Sequence, residues 1–126
     1  MIAADTSSLS NFLKRTGTSD ADLVKTALQN ERLVLSPIVI AELFSSANMN
    51  KELEFAIEDI PVLELKAGFW KRAGKNRAAL HRAGKKARLA DTLIATCCLD
   101  YGIALIASDT DYRHFADHFD LVVKSG

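Results

Sequence analysis

The chain has little with which to cross-link itself. Among 126 residues the only cysteines are the adjacent Cys97 and Cys98. Sequence neighbours cannot staple distant segments, and no second pair completes a zinc-ribbon spacing, so a reducing cytosol is the expected setting. Two Pro and six Gly are too few for a disordered, collagen-like or linker-rich chain. No apolar run approaches the roughly 18–20 residues of a membrane-spanning helix. Met1-Ile2-Ala3-Ala4-Asp5 also lacks the basic region and apolar stretch of a signal peptide. These absences point to a cytoplasmic protein without a membrane partner. Net charge is missing too, because 16 Lys+Arg balance 16 Asp+Glu. What is present, 48% hydrophobic and 25% charged residues, is the mixture of an ordinary globular protein. One domain over residues 1–126 accounts for the length, and at this size it needs no disulfide or metal staples.

The zero balance hides an asymmetry. Residues 66–90 contain nine bases (Lys66, Lys71, Arg72, Lys75, Arg77, Arg82, Lys85, Lys86 and Arg88) and no acid, leaving seven bases against sixteen acids elsewhere. A basic block followed at once by Asp91, in an otherwise acidic chain, suggests a protein that handles a polyanion with acidic chemistry.

Apolar runs and cap residues predict alternating strands and helices. Ile2-Ala3-Ala4 reads as a strand ending at Asp5, and Leu9, Phe12 and Leu13 follow at helical spacing. A second helix is expected over residues 20–29 with Ser19 as cap, then a strand over residues 33–35. Ser36-Pro37 opens a helix to about residue 47. A helix over residues 51–59 precedes a strand over residues 60–65, which Pro61 restricts to an edge or a late start. Residues 66–84 read as a long basic helix, and residues 89–100 as an apolar helix stopped by Gly102. Residues 103–107 form the fourth expected strand. A short helix over residues 111–118 and a strand over residues 121–123 complete the chain. The pattern predicts an α/β, three-layer fold with a central, mostly parallel sheet of four to five strands flanked by helices.

In such sheets ligands collect beyond the carboxyl ends of the strands, and Asp5 and Asp109 stand at two of those ends. Glu42 and Asp91 sit on helices beside apolar stripes. Glu42 follows Ile38 and Val39 by four and three residues, and Asp91 precedes Ile94, Ala95 and Cys98. Partly buried carboxylates are costly unless a positive charge compensates them. For several converging acids, a hard divalent cation that shares oxygen ligands with substrate phosphates is the usual solution.

Met1-Ile2-Ala3-Ala4-Asp5-Thr6-Ser7, the run from Ser36 to Leu43 around Glu42, Ala90-Asp91-Thr92-Leu93-Ile94-Ala95, and the run from Leu105 to Tyr112 containing Ser108-Asp109-Thr110-Asp111 together resemble a PIN domain. Within that superfamily the chain is most similar to the VapC-type toxins of bacterial toxin–antitoxin pairs. The resemblance covers essentially the full length, in order and spacing. It implies a Mg²⁺- or Mn²⁺-dependent endoribonuclease that leaves a 5′-phosphate and a 3′-hydroxyl. It also implies a homodimer, and a small cognate antitoxin lying over the acidic groove, often with an Arg reaching the carboxylates. Carried over residue by residue, the metal-binding acids are Asp5, Glu42, Asp91 and Asp109. The family often has Thr, one residue, then Asp or Asn after this strand. Here Ser108 directly precedes Asp109, which leaves Asp111 as an extra or alternative fourth acid. Thr6 and Ser108 are expected to position waters or carboxylates behind the ligands. A housekeeping RNA-processing nuclease would use the same acids, whereas a non-cleaving binding module would not need them.

Of the basic block, Lys75, Arg82, Lys85, Lys86 and Arg88 are candidates to track an RNA backbone. Phe69 and Trp70 read as core or dimer contacts, Cys97-Cys98 as buried packing, and His114 and His118 lack a third zinc ligand. A haloacid-dehalogenase phosphatase would need a second Asp where Ser7 stands, and Asp5-Thr6-Ser7-Ser8 offers no dinucleotide-binding glycine fingerprint.

Overall fold

The computed structural model describes residues 1–125. Four strands, β1 (Ile2–Ala4), β2 (Leu33–Val34), β3 (Ala104–Ile106) and β4 (Val123–Lys124), form one sheet in the order β2-β1-β3-β4. Every pairing is parallel, with Ala4 opposite Ile106 at the centre. Among the described residues seven α-helices flank the sheet: α1 (Thr6–Leu13), α2 (Ser19–Gln29), α3 (Pro37–Phe44), α4 (Lys51–Ile57), α5 (Phe69–Arg82), α6 (Leu89–Tyr101) and α7 (Arg113–Phe119). A 3₁₀ turn, Thr110–Tyr112, precedes α7.

Short polar residues start several of these helices by accepting N–H groups that have no intrahelical partner. Asp5 caps α1 through Ser8 N–H, Ser36 caps α3 through Val39 N–H with Pro37 behind it, and Asn50 caps α4 through Leu53 N–H. The core runs from Ala3, Leu9 and Val24 through Leu35, Val39 and Leu80 to Ile94, Leu105 and Phe115. Helix α6 is buried almost all round, at Thr92, Ile94, Ala95, Thr96, Cys97 and Cys98, which explains its lack of a polar stripe. Burial pushes the Cys97 thiol up to about 11 and raises Cys98 further, so both behave as inert packing groups. Gly102 ends α6 at φ 62°, and a Cβ there would meet nothing within 4 Å. Gly102→Ala should therefore cost only left-handed backbone strain, about 1 kcal/mol by chemical denaturation.

Three expectations need correction. Residues 60–65 are not a strand: one parallel bridge, Leu35 to Val62, is all that forms. Leu35 N–H reaches the Pro61 carbonyl and Leu63 N–H reaches the Leu35 carbonyl, but Pro61 has no N–H to extend the ladder. The strand that leads to Asp109 is consequently the third, not the fourth. The basic helix begins at Phe69 rather than Lys66, because Gly68 stands at φ 78° before its first turn. The last strand is displaced to Val123–Lys124, where its register with Leu105 and Ile106 places it.

Candidate active site

Strands β1 and β3 are neighbours in space although β2 comes between them in sequence. The winding of the sheet reverses there, and a crevice opens beyond the carboxyl ends of the two strands. Asp5 directly follows β1, and its N–H donates to the Ile106 carbonyl at 3.0 Å, so the first acid is tied to the end of β3. Asp109 lies three residues past β3 and caps the 3₁₀ turn, accepting Asp111 N–H at 2.9 Å. Asp91 occupies the first turn of α6. Helix α3 supplies Glu42, whose Oε1 accepts the Thr6 hydroxyl at 2.5 Å. Three of the four acids thus stand at helix or turn N-termini, whose unpaired N–H groups partly offset their charge.

That offset is incomplete. One oxygen of each of Asp91, Asp109 and Asp111 falls within 4.8 Å of the others, all three residues being half-buried. Asp91 accepts the Tyr112 hydroxyl on Oδ1 at 3.3 Å, while its buried Oδ2 has no hydrogen-bond partner among the described residues. Burial, then Asp109, raise the Asp91 carboxyl above its ordinary range; the Tyr112 hydroxyl and Arg88 oppose this, and Glu42 adds to it. Asp5 is only 4% exposed. Burial raises its carboxyl too, against the Ser8 N–H and the Ser7 and Ser8 hydroxyls, with the Asp91 charge adding to the rise. Tyr112, buried beneath these groups, has its phenol pushed up by burial and by Asp5, Asp91 and Glu42.

The arrangement is a knot of negative charge with an all-oxygen donor set and one orphaned buried carboxylate oxygen. The nearest cation is peripheral, Arg88 at 3.8 Å from Asp111 and itself largely exposed. Such a donor set fits a hard divalent ion and disfavours the softer metals that need thiolate or imidazole.

The PIN domain family matches residues 2–118. This chain belongs to the PIN domain family. No curated protein matches it in sequence, but solved structures superpose over nearly the whole chain. A chain of VapBC-1 from nontypeable Haemophilus influenzae is 25% identical, with 99% of this chain and 98% of that one covered at a TM-score of 0.72. A chain of VapBC2 from Rickettsia felis, bound to a DNA fragment from its promoter, is 18% identical, with 98% of each chain covered at 0.78. DNA-bound VapBC from Salmonella typhimurium gives 20% identity, 98% and 96% coverage, and 0.76.

On this PIN scaffold the sequence-derived acids fall into two sets. Asp91, Asp109 and Asp111 approach to ligand spacing, whereas Asp5 and Glu42 lie outside that group and reach it through their charge on Asp91 and Asp5 on Tyr112. Asp109 and Asp111 both stand in that group beside Asp91. The Thr6 hydroxyl bonds Glu42, and Ser108 is exposed. Lys75, Arg82, Lys85, Lys86 and Arg88 are all exposed, and among them Arg88 pairs with an acid of the site. Phe69 is buried, but Trp70 is 65% exposed. Sequence reading missed Tyr112, which is 1% exposed and bonded to Asp91. Its signal was available: an aromatic hydroxyl three residues after Asp109, on the turn that Asp109 caps. Among the described residues His114 and His118 join no metal-binding group, and no helix is long and apolar enough to cross a membrane.

Proposed function

We propose that this PIN domain, a single domain over residues 1–126, is a divalent-metal-dependent endoribonuclease and the toxin of a toxin–antitoxin pair. The observation that carries the reading is the orphaned Asp91 oxygen among converging carboxylates, a group whose burial makes sense once a cation shares it. Asp5, Glu42, Asp91, Asp109 and Asp111 would hold Mg²⁺ or Mn²⁺ between them, the last three standing at ligand spacing. Bound there, such an ion lowers the pKa of water and polarises a phosphoryl oxygen, supplying a nucleophile and charge neutralisation near neutral pH.

The protein's own residues do the rest. Thr6 fixes the Glu42 carboxylate, which is then placed to orient or deprotonate the attacking water. Tyr112 holds the Asp91 Oδ1, leaving Oδ2 for the ion. The exposed bases follow the anionic backbone. Arg77 Nε donates to the Ala87 carbonyl at 2.8 Å, pinning the Lys85–Lys86–Arg88 loop beside the acids. Hydrolysis leaves a 5′-phosphate and a 3′-hydroxyl.

The VapBC likeness supports an antitoxin partner; a homodimer and a cytoplasmic setting belong to the same proposal. A groove of about 670 Å³ lined by Phe12, Leu13, Lys25 and Leu53 shares Leu13 and Leu53 with a smaller hollow that reaches Thr6 and Glu42. An apolar segment seated there would place a cationic side chain of the antitoxin at the acids.

Purified protein should cut a mixed RNA pool with Mg²⁺ or Mn²⁺ and stop with EDTA; a pool left intact with both metals would refute the reading. Tyr112→Phe keeps the buried ring but strips Asp91 of the hydroxyl bonded to it. It should lower cleavage about tenfold, the worth of one hydrogen bond to a charged group, without loss of fold by circular dichroism.

A further inference from the structure

Helix α5 turns a basic face to solvent, away from its packing against α6. The inner face is settled by its contacts: Arg72 Nε donates to Asp100 at 2.9 Å, Asn76 donates to the Thr96 hydroxyl at 3.2 Å, and Ala73 and Leu80 are buried. The opposite side carries Trp70, Lys71, Gly74, Lys75, His81 and Arg82, all exposed. Because the sequence has no acid between Lys66 and Ala90, no carboxylate on this helix neutralises those bases.

Trp70 is the only tryptophan of the chain and is 65% exposed. Its indole meets the ring of Phe69, itself 2% exposed, nearly at right angles, with centroids 5.1 Å apart. A buried ring thus steadies an exposed one. One turn on, at Gly74, a Cβ would meet nothing within 4 Å. Packing does not demand glycine there, and glycine is a poor helix former. Its missing side chain leaves the indole open, because a long side chain on a helix reaches back over the preceding turn.

From Trp70 the bases run at helical spacing through Lys71 and Lys75 to Arg82, about 18 Å along the axis. They continue through Lys85 and Lys86 to Arg88, which stands 3.8 Å from Asp111. The phosphates of one strand suit such a row, and an unpaired base suits the indole. A duplex covers its base faces, so a single strand is the occupant that both features fit. We propose that this face of α5 is a second binding surface for single-stranded RNA, in which Trp70 stacks on a base and Lys71, Lys75 and Arg82 follow the strand toward the acids. It rests on the ribonuclease reading, in that the strand held is the strand to be cut, but holding needs no metal.

Binding read in EDTA separates the two. Emission from Trp70 should be quenched as an oligouridylate of about twelve nucleotides is added. Inorganic polyphosphate, a polyanion without bases, should bind and leave the emission unchanged. Trp70→Ala should weaken binding of the labelled oligonucleotide, followed by anisotropy, about tenfold. Gly74→Leu should weaken it too, with thermal stability at or above that of the wild type, so loss of fold does not account for the change. Lys71→Gln and Lys75→Gln should each flatten the dependence of log affinity on log salt by about 0.7. Equal quenching by polyphosphate, or wild-type affinity in Trp70→Ala, would overturn the surface and leave the cation site standing. If that variant also sediments as a monomer where the wild type is a dimer, the face is instead an interface between two copies. Quenching and binding as expected, with no cleavage under Mg²⁺ or Mn²⁺, would remove the ribonuclease reading and leave the surface.

Discussion

Replacing Asp91 by Asn should reduce RNA cleavage on the order of 10³–10⁴-fold, as loss of a charged catalytic group does elsewhere, and should raise the stability of the metal-free protein. The two effects share one cause. Asp91 is half-buried, has a neighbour of like charge in Asp109, and keeps one oxygen without a partner. Its charged form is disfavoured in the fold, so its carboxyl titrates above the ordinary 3.8. Below that value the carboxyl is protonated in both folded and unfolded chains, and Asn gains nothing. As pH rises through the folded value, the unfolded chain releases its proton first and the native state loses stability relative to it. The gain from Asn should thus be absent near pH ~3, grow upward from the ordinary carboxylate range, and be complete at neutrality. Thermal unfolding across pH measures it. Added Mg²⁺ should reverse the order, stabilising the wild type and leaving the variant unmoved.

Asp5 should separate two roles that coincide in one side chain. Asp5→Asn and Asp5→Ala should both depress cleavage by about 10³-fold, because each removes a negative ligand from the crevice. Their stabilities should part. Asparagine still accepts Ser8 N–H and caps α1, and it sheds a charge that burial disfavours. Metal-free Asp5→Asn should therefore be at least as stable as the wild type. Alanine cannot accept that N–H and leaves it unpaired at a buried helix start. Asp5→Ala should fall below Asp5→Asn by about 1 kcal/mol in chemical denaturation. Equal stabilities would mean that the cap contributes nothing.

How far the site was legible depends on which residues carried it. Asp5, Asp91 and Asp109 follow apolar runs or open helices, and sequence patterns find those positions well. A parallel sheet then brings the strand ends to one edge, so their convergence followed from the fold class. Asp111 was readable as a candidate but not as a partner of Asp109. The spacing of two residues puts both oxygens near Asp91 only because the intervening chain turns as a 3₁₀ helix capped by Asp109. Tyr112 depends on tertiary packing, and single-residue patterns do not reveal which buried hydroxyl faces which acid.

The fold shows the same division. Helices with caps emerged at or near their expected bounds. Residues 60–65 failed because their apolar content does not alternate in a strand's sense. Ile60 and Leu63 are buried while Val62 is exposed, and Pro61 interrupts the donor row. The position of β4 was set by its pairing with β3, information that lies far away in the sequence.

The most direct test of the account is to locate Mn²⁺ by anomalous scattering in crystals of the metal-free protein soaked in the ion. A peak in the crevice between Asp91, Asp109 and Asp5, absent in Asp91→Asn, is the predicted result. No peak there, or density only at acids on the outer surface, would contradict the claim that these carboxylates form a divalent-cation site.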